Sequence, residues 1–284
     1  MCEEFHYEAA VLDDACDLRP YALLILPDYV SPTPKLAKAL NAYLKGGGKV
    51  IVSNLSAFAE DGRAMLDALP LQQIGEVEKF PTYWRAGRKF SAELALSDRV
   101  VYLPGRKVRA GKGTQILAQR VLPYFQRSDL MFCSHFQTPP QAGADTHAAV
   151  IRGANFLYFA DPIFREYREY GNIAVRDGWR AAMESLIGPA PFGAGLPTTI
   201  LICPRRRGRD LILTLLHYIP TRKAIGQDMI EERSSFAGEI LRLPARAGAV
   251  RVFGTNEELP RTDSGFVLPL AKGRLLLEVP DYFR

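Results

Sequence analysis

The order of signals between Tyr21 and Ser53 limits the fold more than any other feature of this chain. Tyr21 to Leu26, YALLIL, is a near-continuous apolar run of strand length, the pattern of a parallel strand covered on both faces. Thr33 and Pro34 follow as an N-cap and a first helical residue, and Leu36, Leu40, Tyr43 and Leu44 then recur at helical spacing. That spacing turns Lys35, Lys38 and Lys45 toward water. Gly46, Gly47 and Gly48 end the helix, and KVIVS, Lys49 to Ser53, returns as a second strand. A right-handed β-α-β crossover is the economical topology for such an order.

The alternation continues. Tyr7 to Leu12 reads as a further strand, Asp61 to Leu69 as a helix and Arg99 to Leu103 as a strand. Ala148 to Arg152 and Asn155 to Ala160 form a strand pair joined through Gly153. Asp161-Pro162 opens a helix that Gly171 closes, and Val175 to Ile187 forms another. Strands alternating with helices over residues 1–190 predict an α/β domain with a doubly wound, mostly parallel sheet. The texture changes at GPAPFGAGLP, which is rich in glycine and proline and reads as a linker. Beyond it, Thr198 to Cys203 and Asp210 to His217 flank PRRRGR as a hairpin. Short strands at Glu239 to Leu243, Val250 to Phe253, Gly265 to Leu270 and Arg274 to Val279 predict a small antiparallel β-sandwich over residues 197–284.

Composition excludes several classes. The 36 basic residues outnumber the 31 acidic ones, giving +5, but they are dispersed, which argues against a nucleic-acid partner. Cys2, Cys16, Cys133 and Cys203 lie far apart with no CxxC spacing, as expected of reduced thiols in a cytoplasmic protein. The N-terminus is acidic where a signal peptide would be basic. No apolar run approaches the roughly 18–20 residues that span a bilayer, so no membrane association is expected.

Candidate sites are few. Glycines that cradle phosphate stand after a strand and before a helix, whereas Gly46 to Gly48 stand in the reverse order and read as a helix cap. A nucleophile elbow places a cysteine or serine among glycines directly after a strand. The turn after KVIV instead reads Ser53-Asn54-Leu55-Ser56, with neither cysteine nor glycine. Cys133-Ser134-His135 has the letters of a triad, but in an extended chain Ser134 and His135 point to opposite faces, and Cys133 and His135 stand roughly 6–7 Å apart. SHFQTPP is still an unusual polar loop, and loops at the carboxyl edge of a parallel sheet gather ligands, which makes His135 and Gln137 candidate ligand contacts. Phe164, Tyr167 and Tyr170 share helical spacing that suits either a buried helix face or a stacking surface for sugar rings, and Tyr167 joins the candidates on the second reading. Arg205, Arg206, Arg207 and Arg209 read as a solvated hairpin tip. His6, His135, His147 and His217 show no metal-ligand spacing, and neither a metal nor a cofactor is expected.

A resemblance adds to this reading. DLRPYALLILPDYVSPTPKLAKALNAYLKGGGKVIVS resembles the start of the β-galactosidase trimerisation domain, a class I glutamine amidotransferase-like module that follows a catalytic (β/α)8 barrel in a group of glycoside hydrolases. SHFQTPP, NFLYFADPIFREYREYG and LTLLHYIPTR are similar to the matching part of glycoside hydrolases of the same layout, some of them α-L-fucosidase-like. The resemblance covers most of the chain and implies a flavodoxin-like, amidotransferase-like sheet followed by a β-domain. It also implies that the first β-α unit of the module is missing or replaced before Tyr7. The family carries its catalytic carboxylates on the barrel, so no catalytic residue is expected here. The implied role is that of a non-catalytic accessory and oligomerisation region in carbohydrate metabolism, forming a homo-oligomer such as a trimer, with a carbohydrate as the other candidate ligand. Two rivals come from other classes: an α/β hydrolase or amidotransferase-like enzyme with Cys16 or Cys133 as nucleophile, and a polysaccharide-binding module.

Overall fold

The computed structural model describes residues 1–145, 147–224, 226–230 and 232–284. Contacts divide the chain into two compact units, one of residues 12–188 and one of residues 1–11 with 189–284. The first begins with β1 (Leu24–Leu26), α1 (Pro34–Lys45) and β2 (Val50–Ser53), and Leu24 pairs in parallel with Val50, as the opening crossover requires. Thr33 Oγ1 accepts from Leu36 N at 3.2 Å, a cap worth about 1 kcal/mol. Gly47 takes φ +90° just past the helix, where a Cβ is disfavoured. Gly48 is needed for space, because a Cβ there would overlap the Tyr43 ring. Tyr43 Oη in turn donates to Tyr21 O at 2.9 Å and accepts from Lys49 N at 3.2 Å, tying both strands to the helix.

The unit continues with β3 (Leu71–Glu76), β4 (Thr82–Ala86), β5 (Arg99–Val101), β6 (Arg106–Ala110), β7 (Gln115–Val121), β8 (Ala148–Arg152) and β9 (Phe156–Phe159), then α2 (Ile163–Tyr170) and α3 (Ile173–Ile187). Seven strands form one mixed sheet in the order β1-β2-β9-β8-β7-β4-β5, and β3 pairs separately with β6. Leu40, Tyr43 and Leu44 of α1 share a core cluster with Val50, Val52, Ile151, Phe156 and Tyr158 of the sheet.

Four sequence expectations differ from this arrangement. The sheet is parallel only across β1, β2 and β9, and the four remaining strands join antiparallel rather than extending a mostly parallel sheet. The turn at Gly153 explains the change of sense, since a connection too short for a crossover can join only antiparallel neighbours. Asp61 to Leu69 is not helical. Asp61 Oδ1 accepts from Arg63 N at 3.0 Å, Gly62 takes φ +78°, and Ala64 and Arg63 form isolated bridges to Phe58 and Gln72. A side chain that bonds its own backbone competes with the helix. Tyr7 to Leu12 is not a strand either; Glu3–Phe5 form a short 3₁₀ turn closed by His6 at φ +64°. The buried Phe5 and Tyr7 anchor this segment, and His6 Nε2 lies 2.8 Å from Ile200 O, so its apolar residues serve the other unit. Finally, β3, β4, β6 and β7 form in a stretch whose sequence pattern pointed to no strand there.

In the second unit β10 (Ile200–Arg207) and β11 (Asp210–His217) form the expected hairpin, with Arg207 opposite Asp210. Arg274–Val279 and Arg251–Val252 complete a four-stranded antiparallel sheet beside β11. Ile240–Leu241, Gly265–Val267 and Arg261–Thr262 form a three-stranded antiparallel sheet, and two further pairs complete the unit. Leu211, Leu213, Leu215, Leu275 and Leu277 of the first sheet and Leu241 and Phe266 of the second share one core.

Candidate functional site

The carboxyl ends of parallel strands are where open α/β sheets usually receive ligands. Here Asp28 follows β1, Ser53 ends β2 and Asp161 follows β9. Ser53 is fully buried, and its hydroxyl donates to Asp28 Oδ1 at 2.7 Å while accepting from Asp28 N at 2.8 Å. Asn54, at φ +49°, occupies the strained turn that an elbow would give its nucleophile, but its Nδ2 donates to Ala160 O at 3.2 Å. The Asn54 carbonyl is also occupied, by Gln73 Nε2 at 2.5 Å and Tyr158 Oη at 2.8 Å. The turn has an elbow's backbone without its chemistry.

Asp28 has a second task. Pro162 is the N-cap residue of α2 and has no side-chain acceptor, so Asp28 caps the helix from a distance: Oδ2 accepts from Arg165 N at 2.8 Å and Oδ1 from Phe164 N at 3.5 Å. Burial pushes the Asp28 carboxyl above the ordinary range, outweighing the hydrogen bonds from Ser53, Arg165 and Phe164 that favour the charged form.

Asp161 and Arg120 form an ion pair at 2.7 Å in which both side chains are fully excluded from solvent. Trp84 Nε1 donates to Asp161 Oδ2 at 2.6 Å, and Arg120 Nη1 donates to Arg106 O at 2.8 Å. Gly105 passes so close that a Cβ would overlap Asp161 Oδ1 and Arg120 Nη2. Glu166 completes the network from α2. Its Oε1 accepts from Tyr102 N at 2.9 Å and Asn172 Nδ2 at 2.8 Å, and its Oε2 from Leu103 N at 2.9 Å. Burial raises its carboxyl as well, with the nearby Asp161 charge acting in the same direction. All three carboxylates are spent on capping helices and joining strands. Among the described residues no three His, Cys, Asp or Glu side chains converge as metal ligands.

The predicted ligand-contact residues lie elsewhere. His135 and Gln137 belong to the connection between β7 and β8, which far exceeds the roughly 12–15 residues beyond which irregular loops usually carry a function. Tyr83 Oη donates to Thr138 O, and Thr138 Oγ1 to Phe125 O at 2.8 Å, which pins the connection at one point. Arg127 Nη1 donates to His135 O at 3.1 Å, and Cys133 Sγ lies 3.3 Å from the same carbonyl. The His135 ring and the Gln137 amide make no hydrogen bond among the described residues. Among the described residues the Cys133 sulfur contacts carbonyls and no base, and Cys16 Sγ contacts Asp13 Oδ1 at 3.1 Å.

Phe136, between His135 and Gln137, belongs to an aromatic row. Its ring lies 6.1 Å from that of Tyr102, which stacks on Tyr170 at 4.7 Å. Tyr167 is half-buried on the same helix as Tyr170, and Phe164 packs on Trp179 at 5.0 Å, so Phe164 follows the buried-face reading while Tyr170 does not. The feature that motif reading missed is the apolar part of this connection. Leu130 is 95% exposed, Phe132 72% and Tyr124 71%, with Met131 and Phe136 also exposed. The run LMF was its signal: three large apolar residues with no strand or helix to bury them.

Residues 3–77 match the family model of the β-galactosidase trimerisation domain. The resemblance seen in the sequence therefore holds for the segment carrying β1, α1, β2 and β3. No protein of curated function matches the chain. Among solved structures, the α-L-fucosidase isoenzyme 2 of Paenibacillus thiaminolyticus superposes with a TM-score of 0.87 at 23% identity, over 98% of this chain and 43% of its own. A β-galactosidase from Rahnella sp. R3 gives 0.62 at 14% identity, over 98% of this chain and 35% of its own. One from Bacillus circulans sp. alkalophilus gives 0.63 at 14%, over 98% and 36%. At these identities the likeness is one of fold, and the chain spans less than half the length of each of these proteins. Among the described residues no helix is long and apolar enough to cross a membrane.

Proposed function

We propose that this chain is a non-catalytic assembly and accessory region of a glycoside hydrolase, and that it joins copies of itself through the connection between β7 and β8. The observation carrying this reading is the exposed apolar surface of Tyr124, Leu130, Met131, Phe132 and Phe136. Apolar side chains gathered on one long surface loop mark an interaction site far more often than singly scattered ones do. The match of residues 3–77 to the trimerisation domain supports assembly as the use of that surface, with a homotrimer as the expected form. On this reading the unit of residues 12–188 is an amidotransferase-like, flavodoxin-like module whose active elbow has been lost, and residues 197–284 form a β-sandwich. The parallel order of β1, β2 and β9 supports the first, and the core shared by two antiparallel sheets supports the second.

Sedimentation of the pure chain tests the proposal. The wild type sediments as an oligomer, and Leu130→Asp with Phe132→Asp shifts it to monomer while the fluorescence of the buried Trp84 and Trp179 stays native. A monomeric wild type, or an oligomer unmoved by the double substitution, overturns it.

A second reading, contact with carbohydrate, is favoured by the unbonded His135 ring and Gln137 amide on either side of Phe136 and its aromatic neighbours Tyr102 and Tyr170. Aromatic faces with adjacent hydrogen-bonding groups suit a sugar ring. Glycan binding that is lost in Tyr170→Ala but kept in the Leu130 and Phe132 variants would separate it from assembly.

A further inference from the structure

The second unit holds a cleft of about 390 Å³ lined by Leu216, His217, Tyr218, Ile230, Arg233 and Arg274, with Gly273 at its base. That volume falls in the range of about 300–1,000 Å³ common to small-molecule sites. The strands build it directly. β11 ends at His217, whose N donates to Gly273 O at 2.9 Å, and Leu216 stands opposite Arg274. Gly273 takes φ +74°, and a Cβ on it would meet Arg233 Cδ at 2.9 Å and Cβ and Cγ at 3.1 Å, so its bareness lets the Arg233 stem lie across the turn.

Some arginines of this unit are matched with carboxylates, Arg207 to Glu278, Arg222 to Asp228, Arg251 to Glu258 and Arg284 to Asp281. Arg233 and Arg274 have no acidic partner among the described residues. His217 is held on one side by Thr199 Oγ1, 3.1 Å from Nε2, and on another by the edge-on Phe236 ring at 5.6 Å. Its Nδ1 is shielded from solvent and has no hydrogen-bond partner among the described residues. Two guanidinium groups with no acidic partner among the described residues thus line a space whose other walls are largely apolar or aromatic.

We infer that this cleft binds a small organic oxyanion, a carboxylate or phosphate carried on an uncharged body of about the size of one sugar ring. Arg233 and Arg274 take the charge, since the guanidinium fork matches both oxyanions in bidentate fashion. Leu216, Ile230 and Tyr218 cover the body. This site lies on a different unit from the assembly surface and goes beyond the assembly reading.

Calorimetric titration of the full chain with glucuronate, glucose 6-phosphate and neutral glucose tests the inference, alongside Arg233→Gln/Arg274→Gln, two exposed positions whose replacement leaves the core untouched. At least one anion binds saturably and glucose does not, and the better of the two names the oxyanion. The double variant weakens binding by about tenfold or more, as expected when charge-assisted hydrogen bonds are lost. In NMR spectra the ring signals of His217 move on titration while those of the other three of the four histidines stay. Equal binding of glucose, unchanged affinity in the double variant, absence of saturable binding of either anion, or shifts confined to other histidines would each overturn the site.

Discussion

Arg120 Nη2 meets Asp161 Oδ1 at 2.7 Å, and neither side chain has any exposed surface. A buried pair of this kind adds little when compared with well-packed apolar residues, but removing one partner strands a charge. Asp161→Asn keeps the shape and an acceptor for Trp84 while leaving the Arg120 guanidinium uncompensated. The expected loss is about 3–5 kcal/mol in urea unfolding followed by tryptophan fluorescence. Both tryptophans of the chain, Trp84 and Trp179, lie in the α/β unit, so the signal reports this unit alone. Adding Arg120→Met to Asp161→Asn recovers part of the loss. A cost of Asp161→Asn below about 1 kcal/mol would contradict the uncompensated-charge account.

Acid dependence follows from the two raised carboxyls. Asp28 and Glu166 are pushed up chiefly by burial, so the folded state holds their protons to higher pH than the unfolded chain does. A group raised on folding adds stability that is fully present below its unfolded value and is lost as pH rises through its folded value. The window therefore opens at ordinary carboxylate values and extends upward from them. Asp28→Asn/Glu166→Gln should show a shallower fall of unfolding free energy between mildly acidic and neutral pH than the wild type. An identical slope in the two proteins would show that the burial of these carboxyls is offset in full by their hydrogen bonds.

The legible part of this fold is local. Thr33, Pro34, the apolar repeat of α1 and the glycines after it each act within one helical turn of their neighbours, and the β1-α1-β2 crossover appears as its sequence pattern predicts. Gly171, at φ +58°, ends α2 for the same reason. The sense of the sheet was not legible in this way, because β7, β4 and β5 are added by long-range pairing and their sequences alternate only weakly. The buried network was hidden as well. Asp28 and Phe164 lie far apart in the chain, and nothing in LPDYV announces a carboxylate that caps a distant helix. The polarity of SHFQTPP marks His135 and Gln137 in the sequence, whereas Leu130, Met131 and Phe132 just before them carry no reactive group and show their exposure only in the fold.

The cap and turn of α1 offer a stability test of the local signals. Thr33→Ala removes the acceptor for Leu36 N and should cost about 1 kcal/mol. Gly48→Ala forces a methyl group into the Tyr43 ring and should cost about 1–3 kcal/mol, because Tyr43 is held by its bonds to Tyr21 and Lys49. Pairing Gly48→Ala with Tyr43→Leu relieves the overlap, so the double substitution should cost less than the sum of its parts in the same urea assay. Additive costs would show that the ring and the glycine are not in conflict.

Ser53 provides the sharpest test of the lost elbow. A serine nucleophile needs an exposed hydroxyl and a base to take its proton. The Ser53 hydroxyl is fully buried and is hydrogen-bonded to Asp28, a carboxylate already engaged as the cap of α2. No imidazole contacts it among the described residues. A fluorophosphonate probe should therefore leave Ser53 unlabelled even after prolonged exposure, as judged by intact-protein and peptide mass spectrometry. Ser53→Ala should act on stability instead, by about 1–3 kcal/mol, because Asp28 loses a buried donor and its backbone N–H loses an acceptor. Labelling of Ser53 that is abolished by prior unfolding would restore the elbow as a reactive site. A stable, unlabelled Ser53→Ala protein would show instead that the Asp28 contact carries no structural weight.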